Sequence, residues 1–440
     1  MKKITVRKAK QNITSKALGM PIAAFMVDVL CLRDRFSAVT IRKGKNSVFS
    51  TVDMCVAMIA IMMIECERIS HIDTTYSGEV ILAQQLGLKR FFSASTAYRF
   101  IRKFGGWHIR QLERVNSLML REHGRSTQVS EKVMDADGST LSMESRKREK
   151  GTPGYNKDHK GDDCYQQSAV FCNNELITQK LDAGHVHCSQ RLEYLFEKAV
   201  KILGEIHMIR LDGGYFSLKT ILFLVEKGVL FAMRATANCT GYNLAMELAE
   251  AREVCFKRVG GNKDTYIAEI PRLRIFKDSD KEFRYLLVKE QKRIKKVKKG
   301  RIFYVCEWQY WGIVTNIPKA VMHSHKLLKF YRRRQTIENF FRETKQSFNS
   351  GKMPSQKFRG NEAYLWLVCI AYNASIWFKR DVLSKQHSPC MMKTIRRRLN
   401  TSALCKDSPD GISLIFDDDY PHVRTYVYMF QRIGMLKKAA

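Results

Sequence analysis

The sequence predicts an α/β fold with a helical N-terminal part and a β-rich insertion. Three observations lead to this prediction. Apolar residues recur at three-to-four spacing up to about residue 125, which is typical of helices. From Val129 onward, short apolar strands alternate with helical patterns, an order typical of α/β folds. Beyond about residue 236 the pattern changes to short alternating strands that reach Trp311.

Composition limits the class of partner. The 440 residues include 76 Lys and Arg against 43 Asp and Glu, a formal net charge of +33. Such an excess indicates nucleic acid, although a diffuse solubility surface or a membrane-surface patch would share it. The hydrophobic content of 45% argues against a disordered basic tail. Val52–Ile64 is shorter than the roughly 20 residues of a membrane span, so we expect no transmembrane segment.

Cysteine and histidine usage does not indicate a metal-binding module. The twelve cysteines include no C-x-x-C pair, which argues against a zinc ribbon and indicates reduced thiols in a cytosol. His185, His187 and Cys188 form a local group that could be imagined as a metal site, but core or hydrogen-bonding roles are more usual for such residues.

The N-terminal helices contain a pattern that resembles a helix-turn-helix. A segment from Gln84 to Arg90 ends in a glycine-containing turn, and Ser93 then caps a helix. That helix carries the basic residues Arg99, Arg102 and Lys103. An ordinary capped surface helix would look the same, so both interpretations remain open for the predicted DNA-binding domain.

The α/β part is predicted element by element. Strands are expected at 131–137, 166–173, 176–181, 206–211 and 229–234, and helices at 191–203 and 218–227. The insertion carries a basic run, Lys292 to Lys299, which is usually a solvated hairpin and in a DNA-binding protein suits backbone contact. Helices resume near Lys326 and again over 362–380. The predicted divisions are 1–128, 129–235, 236–312, 313–380 and a C-terminal helical or dimerisation segment, 381–440.

The most specific pattern is Y-x2-R-x3-E-x6-K, formed by Tyr331, Arg334, Glu338 and Lys345. On one continuous helix, offsets of 3, 7 and 14 residues would place all four side chains within about a 60° sector. Arg342 would lie near them, and Ile337, Phe340 and Phe341 would anchor the adjoining flank. A solvated face with i,i+4 ion pairs is the alternative explanation.

Two aspartates follow apolar strands. Asp137 precedes Gly138, and Asp212 precedes Gly213, where each is expected to emerge at a strand end. Asp before Gly is commonly a turn former. Two strand-end aspartates and a helical glutamate nevertheless supply the oxygen ligands that hard divalent cations prefer, and a pair of such ions can support phosphodiester cleavage and transfer.

These motifs together resemble the DDE transposases of bacterial insertion sequences that carry a Y-R-E-K signature and a β-rich insert between the second Asp and the Glu. Further matching segments extend over most of the chain: Gly154 to Asn156, Lys160-Gly161, Gly184 to His187, Asp212 to Phe216, Thr315 to Pro318 and Asn361 to Asn373.

The resemblance implies an RNase H-like core and a triad of Asp137, Asp212 and Glu338 that binds two Mg²⁺ ions, with Mn²⁺ able to substitute. It implies that Tyr331, Arg334 and Lys345 hold phosphates of the element's terminal inverted repeats. It also implies cut-and-paste transposition, often through a DNA hairpin, a dimer on DNA, and a cytoplasmic, nucleoid-associated protein of a bacterium. An aromatic ring holds the extruded base in this group, which makes Trp311 the candidate and Trp308 the alternative.

Some alternatives stay open at this level. Asp135 lies on the same side of its strand as Asp137, and Glu343 is a rival to Glu338 that lies about 140° further around a helix. Two other functions also share the observations: a transposase-derived DNA-binding regulator without catalysis, and an RNase H-like nuclease without strand transfer.

Overall fold

The computed structural model describes residues 13–65, 68–143, 148–156, 159–237, 239–260, 264–298, 301–408 and 411–439. Its contacts divide the chain into two compact units. Unit 1 combines Met1–Arg125, Leu141–Tyr165 and Phe340–Ala440, and unit 2 combines Ser126–Thr140 with Gln166–Asn339. The divisions predicted from the sequence remain predictions. Lys299, the last residue of the basic run, lies outside the described residues.

The helices and strands are named in chain order. The α-helices α1 to α15 are Gly19–Ala24, Leu32–Phe36, Thr51–Ile64, Ile72–Tyr76, Val80–Gln85, Ala94–Ile101, Gly106–His123, Leu192–Leu203, Leu218–Glu226, Thr240–Glu250, Ser324–Arg332, Thr336–Ser347, Phe358–Asp381, Met392–Leu399 and Val423–Ala439. The strands β1 to β13 are Ile13–Lys16, Val133–Ser142, Thr152–Pro153, Asp163–Cys172, Glu175–Ala183, Met208–Leu211, Leu230–Arg234, Lys257–Val259, Thr265–Arg274, Glu282–Lys298, Arg301–Thr315, Ser402–Ser408 and Gly411–Ile415.

Unit 1 is mainly helical and is built around α13. This helix is buried along nearly its whole length, which explains its almost continuous apolar sequence, and it packs against α3 and α7. A hydrogen bond of 2.9 Å from Asn373 Nδ2 to Asn116 Oδ1 satisfies two buried amides between α13 and α7. The unit also contains a small sheet in the order β1-β12-β13. The N-terminal and C-terminal parts of the chain were predicted to be helical. That prediction was wrong in part, because each of them contributes strands to this sheet.

Unit 2 is built on a mixed sheet in the order β5-β4-β2-β6-β7-β11-β10-β9-β8. The strands β2, β6 and β7 are parallel, and β11 is antiparallel to β7. The helix α9 makes the β6-to-β7 crossover that a parallel pair requires. Between β4 and β5, Asn173 and Asn174 have φ values of 51° and 66°, as a two-residue hairpin turn requires. Parallel strands end at one edge of a sheet, which is where ligand sites form in α/β folds.

The structure confirms the predicted strands and helices of the α/β part within a few residues, with one important difference at β2. This strand was predicted to end at Asp137, but it continues to Ser142. The insertion is rich in strands, β8 to β11, as predicted, but β10 and β11 are 17 and 15 residues long rather than short, and the helix α10 was not predicted. None of the helices that the structure describes is long and apolar enough to span a membrane.

Candidate active site

Two parallel strands bring aspartates to the same sheet edge. β2 pairs with β6 over three residues, the last pair being Asp135 and Arg210. Asp137 and Asp212 each follow two residues later, beyond the paired segment. The register of the sheet therefore places these two carboxylates side by side, just past the paired segment of β2 and β6: Asp212 follows the end of β6, and Asp137 lies within β2.

Asp135, the alternative first carboxylate, is occupied by an arginine. Its side chain is buried and accepts hydrogen bonds from both Nε (2.7 Å) and Nη2 of Arg210. Arg210 also donates from Nη1 to the Phe330 carbonyl at 2.9 Å, and its guanidinium lies 5.0 Å from the Phe330 ring centre. A bidentate pair of this kind fixes both side chains. Asp135 thus links β2, β6 and α11 and does not face the sheet edge with a free carboxylate.

Asp137 and Asp212 instead share one buried cation. Nη2 of Arg334 lies 3.0 Å from Asp137 Oδ2 and 3.5 Å from Asp212 Oδ2. Neither contact has hydrogen-bond geometry, since Nε and Nη2 of Arg334 are buried without a hydrogen-bond partner. The Asp137 and Asp212 side chains keep 16% and 37% exposure. The cluster is therefore held by charge and stays accessible to solvent.

Burial and charge shift the pKa values in this cluster. Burial is the main cause that raises the pKa of Asp137 to about 6, and the charges of Asp212 and Glu338 add to it, while Arg334 and the Gly138 amide oppose it. For Arg334, burial lowers the pKa, but the attraction of Asp137 and Asp212 outweighs it and the pKa is raised. The Asp137 carboxylate therefore lacks the positive charge that would fully stabilise it.

Tight packing around two glycines shapes the site. A Cβ atom at Gly138 would lie 2.5 Å from Cys188 Cβ and 2.7 Å from Gln166 Nε2, so a side chain does not fit there. The Gly138 and Gly214 amides donate to Oδ1 of Asp137 (2.8 Å) and of Asp212 (2.9 Å). The D-G sequence at Asp137 is explained by this close approach rather than by the predicted turn.

The predicted signature helix is not one continuous helix. α11 ends at Arg332, a 3₁₀ turn covers Arg333–Gln335, and α12 begins at Thr336. Because a 3₁₀ turn has 3.0 rather than 3.6 residues per turn, it rotates the following residues relative to the predicted sector. Tyr331 and Arg334 are buried, whereas Glu338 is exposed on the first turn of α12. The prediction of one continuous signature helix was wrong, and a common face for all four residues stays a prediction.

Tyr331 packs beneath the cluster. Its hydroxyl donates to the carbonyl of Leu211, the residue before Asp212, at 3.2 Å. Its ring lies 5.9 Å from that of Trp311, and the Arg234 guanidinium lies 5.3 Å from the Trp311 ring centre. Burial raises the pKa of Tyr331 to about 12. Tyr331 thus supports the strand end that carries Asp212, a contact that the sequence pattern did not indicate.

On α12, exposure separates the two glutamates. Glu343 is buried and lies 3.1 Å from Lys379 Nζ, and it also accepts the Met392 amide at 2.9 Å. It is therefore occupied within unit 1 and does not compete with Glu338. Arg342 and Lys345 are exposed, as a role in DNA binding requires.

The chemistry of these ligands fits a divalent cation only in part. Asp137 and Asp212 converge on the same positive group, which is the arrangement that two carboxylate ligands of a hard cation need. Within the described residues, however, no three acidic, histidine or cysteine side chains are grouped closely enough to hold a metal ion. Glu338 would have to approach the two aspartates to complete such a site.

A comparison with known protein families agrees with the finding of two aspartates at this sheet edge. A model of the transposase DDE domain group 1 matches residues 1–438. The chain belongs to this family. Among curated proteins no match is found. Membership implies an enzyme that cleaves and transfers DNA, and DDE transposases generally use divalent metal ions. Transposase DNA substrates carry the negative charge that the chain's excess of cations suits.

Basic residues of this transposase also line cavities within unit 1. The predicted Ser93 cap is confirmed, since its side chain accepts from the Thr96 amide, and Arg102 caps the other end of α6. Arg99 and Lys103 line a cavity of about 400 Å³, and Arg102 is exposed. A second cavity of about 660 Å³ is lined by five further cations, Arg68, Lys352, Lys393, Arg396 and Arg397. Both surfaces suit a phosphate backbone.

Sequence reasoning missed two arginines of unit 2. Arg210 interrupts an otherwise apolar strand, and a cation in a buried strand indicates a buried partner, which here is Asp135. Arg234 ends β7, is exposed and lies over Trp311. Nothing in its local sequence distinguishes it, because the contact depends on the pairing of β7 with β11.

Proposed function

We propose that this transposase binds the terminal inverted repeats of an insertion sequence and moves it by cut-and-paste transposition. The observation that carries the proposal is the convergence of Asp137 and Asp212 on one cation, just past the paired segment of the parallel strands β2 and β6. The strand order β5-β4-β2-β6-β7, with a hairpin leading into three parallel strands, supports an RNase H-like core.

In the proposed reaction, Asp137, Asp212 and Glu338 hold two Mg²⁺ ions. When bound, such ions activate the attacking oxygen and stabilise the leaving oxygen of a phosphodiester. Asp137 and Asp212 are placed by β2 and β6, and Glu338 reaches them from α12. Arg334 neutralises the two aspartates when no other cation does so, and it is released for a DNA phosphate when the carboxylates are otherwise compensated.

DNA is proposed to contact exposed cations of unit 1. Arg342, Lys345, Arg99, Arg102 and Lys103 are exposed and carry the charge that phosphates need. Tyr331 would contact a phosphate only by leaving the Leu211 carbonyl, so we assign it first to positioning Asp212. One active site acts on each element end, which requires two protomers on DNA. A cytoplasmic, nucleoid-associated location follows from this substrate.

Trp311 is the proposed aromatic residue of a hairpin step. It lies on the same sheet face as Tyr331 and Arg234, next to the acidic cluster. Its indole nitrogen is buried without a hydrogen-bond partner. Trp308 lies three residues away on the same strand and therefore points to the opposite face. The geometry favours Trp311 over Trp308.

The experiment that tests the catalytic assignment is cleavage of a labelled duplex bearing the element end, with Mg²⁺ and with EDTA, on a denaturing gel. We expect a metal-dependent nick, and a Glu338→Gln variant that binds the duplex but cleaves at least about 10³-fold more slowly, since the metal site is worth several kcal/mol. Glu226→Gln, which removes an exposed carboxylate of α9, is the matched control and should cleave normally. Normal cutting by Glu338→Gln would refute the assignment.

Two further outcomes distinguish the other functions. Binding of the element end without any nick in Mg²⁺ or Mn²⁺ would identify a DNA-binding regulator. Nicks that never yield a joined product with a target plasmid would identify a nuclease. Trp311→Leu should stop at the nick without the hairpin-sized band, while the exposed Trp107→Leu control should form it. Loss of the band in Trp308→Leu alone would transfer the role to Trp308.

A further inference from the structure

The β10–β11 hairpin extends beyond the rest of its sheet as a two-stranded ribbon. β9 pairs with β10 only as far as Glu290, and β7 pairs with β11 only at Ile313 to Thr315. From Lys292 to Lys298, β10 pairs only with β11 among the pairings of the described residues. This ribbon is roughly 25 Å long at the usual rise per residue. Residues on both faces of the ribbon are exposed or half-buried, so the charges of the two faces can be compared.

The register assigns the ribbon's side chains to two faces of different charge. Alternate residues share a face, and directly paired residues lie on the same side. Face A carries three cations and no carboxylate between residues 289 and 310; its members are Lys289, Gln291, Arg293, Lys295, Ile302, Tyr304, Cys306, Trp308 and Tyr310. Over residues 289–296 and 302–310, face B carries two lysines and two glutamates; its members are Glu290, Lys292, Ile294, Lys296, Phe303, Val305, Glu307 and Gln309. The pair Lys298 and Arg301 continues the register of face B at the hairpin end. Over residues 289–296 and 302–310, face A therefore has a net charge of +3 and face B a net charge of zero.

The cations of the two faces have different partners. On face B, Lys296 forms an ion pair with Glu307, and Glu290 lies 2.8 Å from Arg332. On face A, the cations lie on aromatic rings instead. Arg293 is 4.1 Å from the ring centre of Tyr304, and Lys289 is 4.8 Å from that of Trp308. These rings orient the cations without neutralising their charge.

We infer that face A of this ribbon is a second DNA-binding surface, which takes the groove and phosphates of a duplex. A two-stranded β-ribbon fits the major groove of B-DNA, and cations without carboxylates match its phosphates. The ring faces of Tyr304 and Trp308 are already covered by cations, which favours a paired duplex over unpaired bases that need open rings for stacking. Face A is opposite to Trp311, so the duplex held there is a segment other than the one at the acidic cluster.

This inference rests on the proposed function but is tested without catalysis. The full chain is titrated in EDTA with a labelled duplex of about 30 base pairs, roughly three helical turns of arbitrary sequence, and binding is followed by fluorescence anisotropy across a salt series. The test variant is Arg293→Gln with Lys295→Gln on face A. The matched control is Lys292→Gln with Lys296→Gln on face B, which removes the same charge from the same hairpin.

The face A variant should bind on the order of tenfold more weakly, and its log–log salt slope should fall by about 1.8, or about 0.9 for each lost phosphate contact. The face B control should change the slope by less than half as much. Equal losses of DNA affinity in the two variants would overturn the inference and would indicate that binding depends only on diffuse positive charge. A larger loss for single-stranded DNA than for duplex would overturn the duplex assignment. The wild type could fail to cleave DNA in Mg²⁺ while the face A variant still binds DNA more weakly than the face B control. That result would count against the proposed function alone.

Discussion

Two aspartates on the same face of β2 have opposite environments. Asp135 is buried, and a bidentate arginine satisfies both of its oxygens. Asp137 lies two residues further along, keeps partial exposure and faces Arg334 without hydrogen-bond geometry. The difference arises from the sheet. β6 supplies Arg210 as the direct partner of Asp135, whereas beyond this pair β2 and β6 no longer hydrogen-bond to each other and Asp212 takes the corresponding place.

This difference separates a structural carboxylate from one that is available for chemistry. A satisfied buried pair resists change, because removing either partner leaves an uncompensated charge. Burial raises the pKa of both aspartates, so the hydrogen-bonded cation is what separates them. A partly exposed carboxylate without such hydrogen bonds is the kind of group that a metal ion or substrate can compensate.

Replacing Asp135 should cause the largest loss of stability. Asp135→Asn leaves the buried guanidinium of Arg210 without its charge partner, and we expect the free energy of unfolding to fall by about 3–5 kcal/mol. Urea unfolding at pH 8 in EDTA measures this change in the free energy of unfolding. Asp135→Asn combined with Arg210→Met should recover part of the loss, since no buried charge then remains unpaired. A loss below about 1 kcal/mol would mean that the pair is not structural.

The order of the elements and the positions of the two aspartates were predictable because they depend on local patterns. Apolar strands and a crossover helix leave a periodic signal in the sequence, and β6, α9 and β7 were predicted within two residues of their observed ends. The proximity of Asp137 and Asp212 required only that β2 and β6 be parallel neighbours, which the α/β order indicates, although β2 does not end at Asp137 as predicted.

The signature segment and the role of Asp135 were not predictable, because both depend on tertiary contacts. The Tyr331 hydroxyl donates to the Leu211 carbonyl, Arg334 faces two carboxylates, and a 3₁₀ turn at Arg333–Gln335 interrupts the helix between α11 and α12. Helical periodicity cannot reveal such a turn, since 3₁₀ and α-helical residues have similar dihedral angles. The partner of Asp135 became apparent only from the register of β2 against β6.

Replacing Asp137 should have the opposite effect on stability. Its folded-state pKa, about 6, is above the ordinary value of 3.8, so its ionisation disfavours the folded state as pH rises through 6. Asp137→Asn should therefore be more stable than the wild type by roughly 2 kcal/mol at pH 8, and by little at pH 4. Urea unfolding in EDTA at both pH values provides the test. Equal stabilities at pH 8 would show that Arg334 fully compensates Asp137.

The smallest expected effect concerns metal binding by the protein without DNA. It tests most directly whether Asp137 differs from Asp135. If Asp137 and Asp212 accept a divalent cation, Mg²⁺ at about ten times its dissociation constant should stabilise the wild type by on the order of 1 kcal/mol at pH 8. The stabilisation should vanish below pH 6, because protonated Asp137 is a poor ligand. It should be absent from Asp137→Asn, and the shift caused by Mg²⁺ should persist in the Asp135→Asn, Arg210→Met double variant. Differential scanning calorimetry measures these shifts. A shift that survives in Asp137→Asn would place the cation elsewhere and would leave Asp137 without the property that distinguishes it from Asp135.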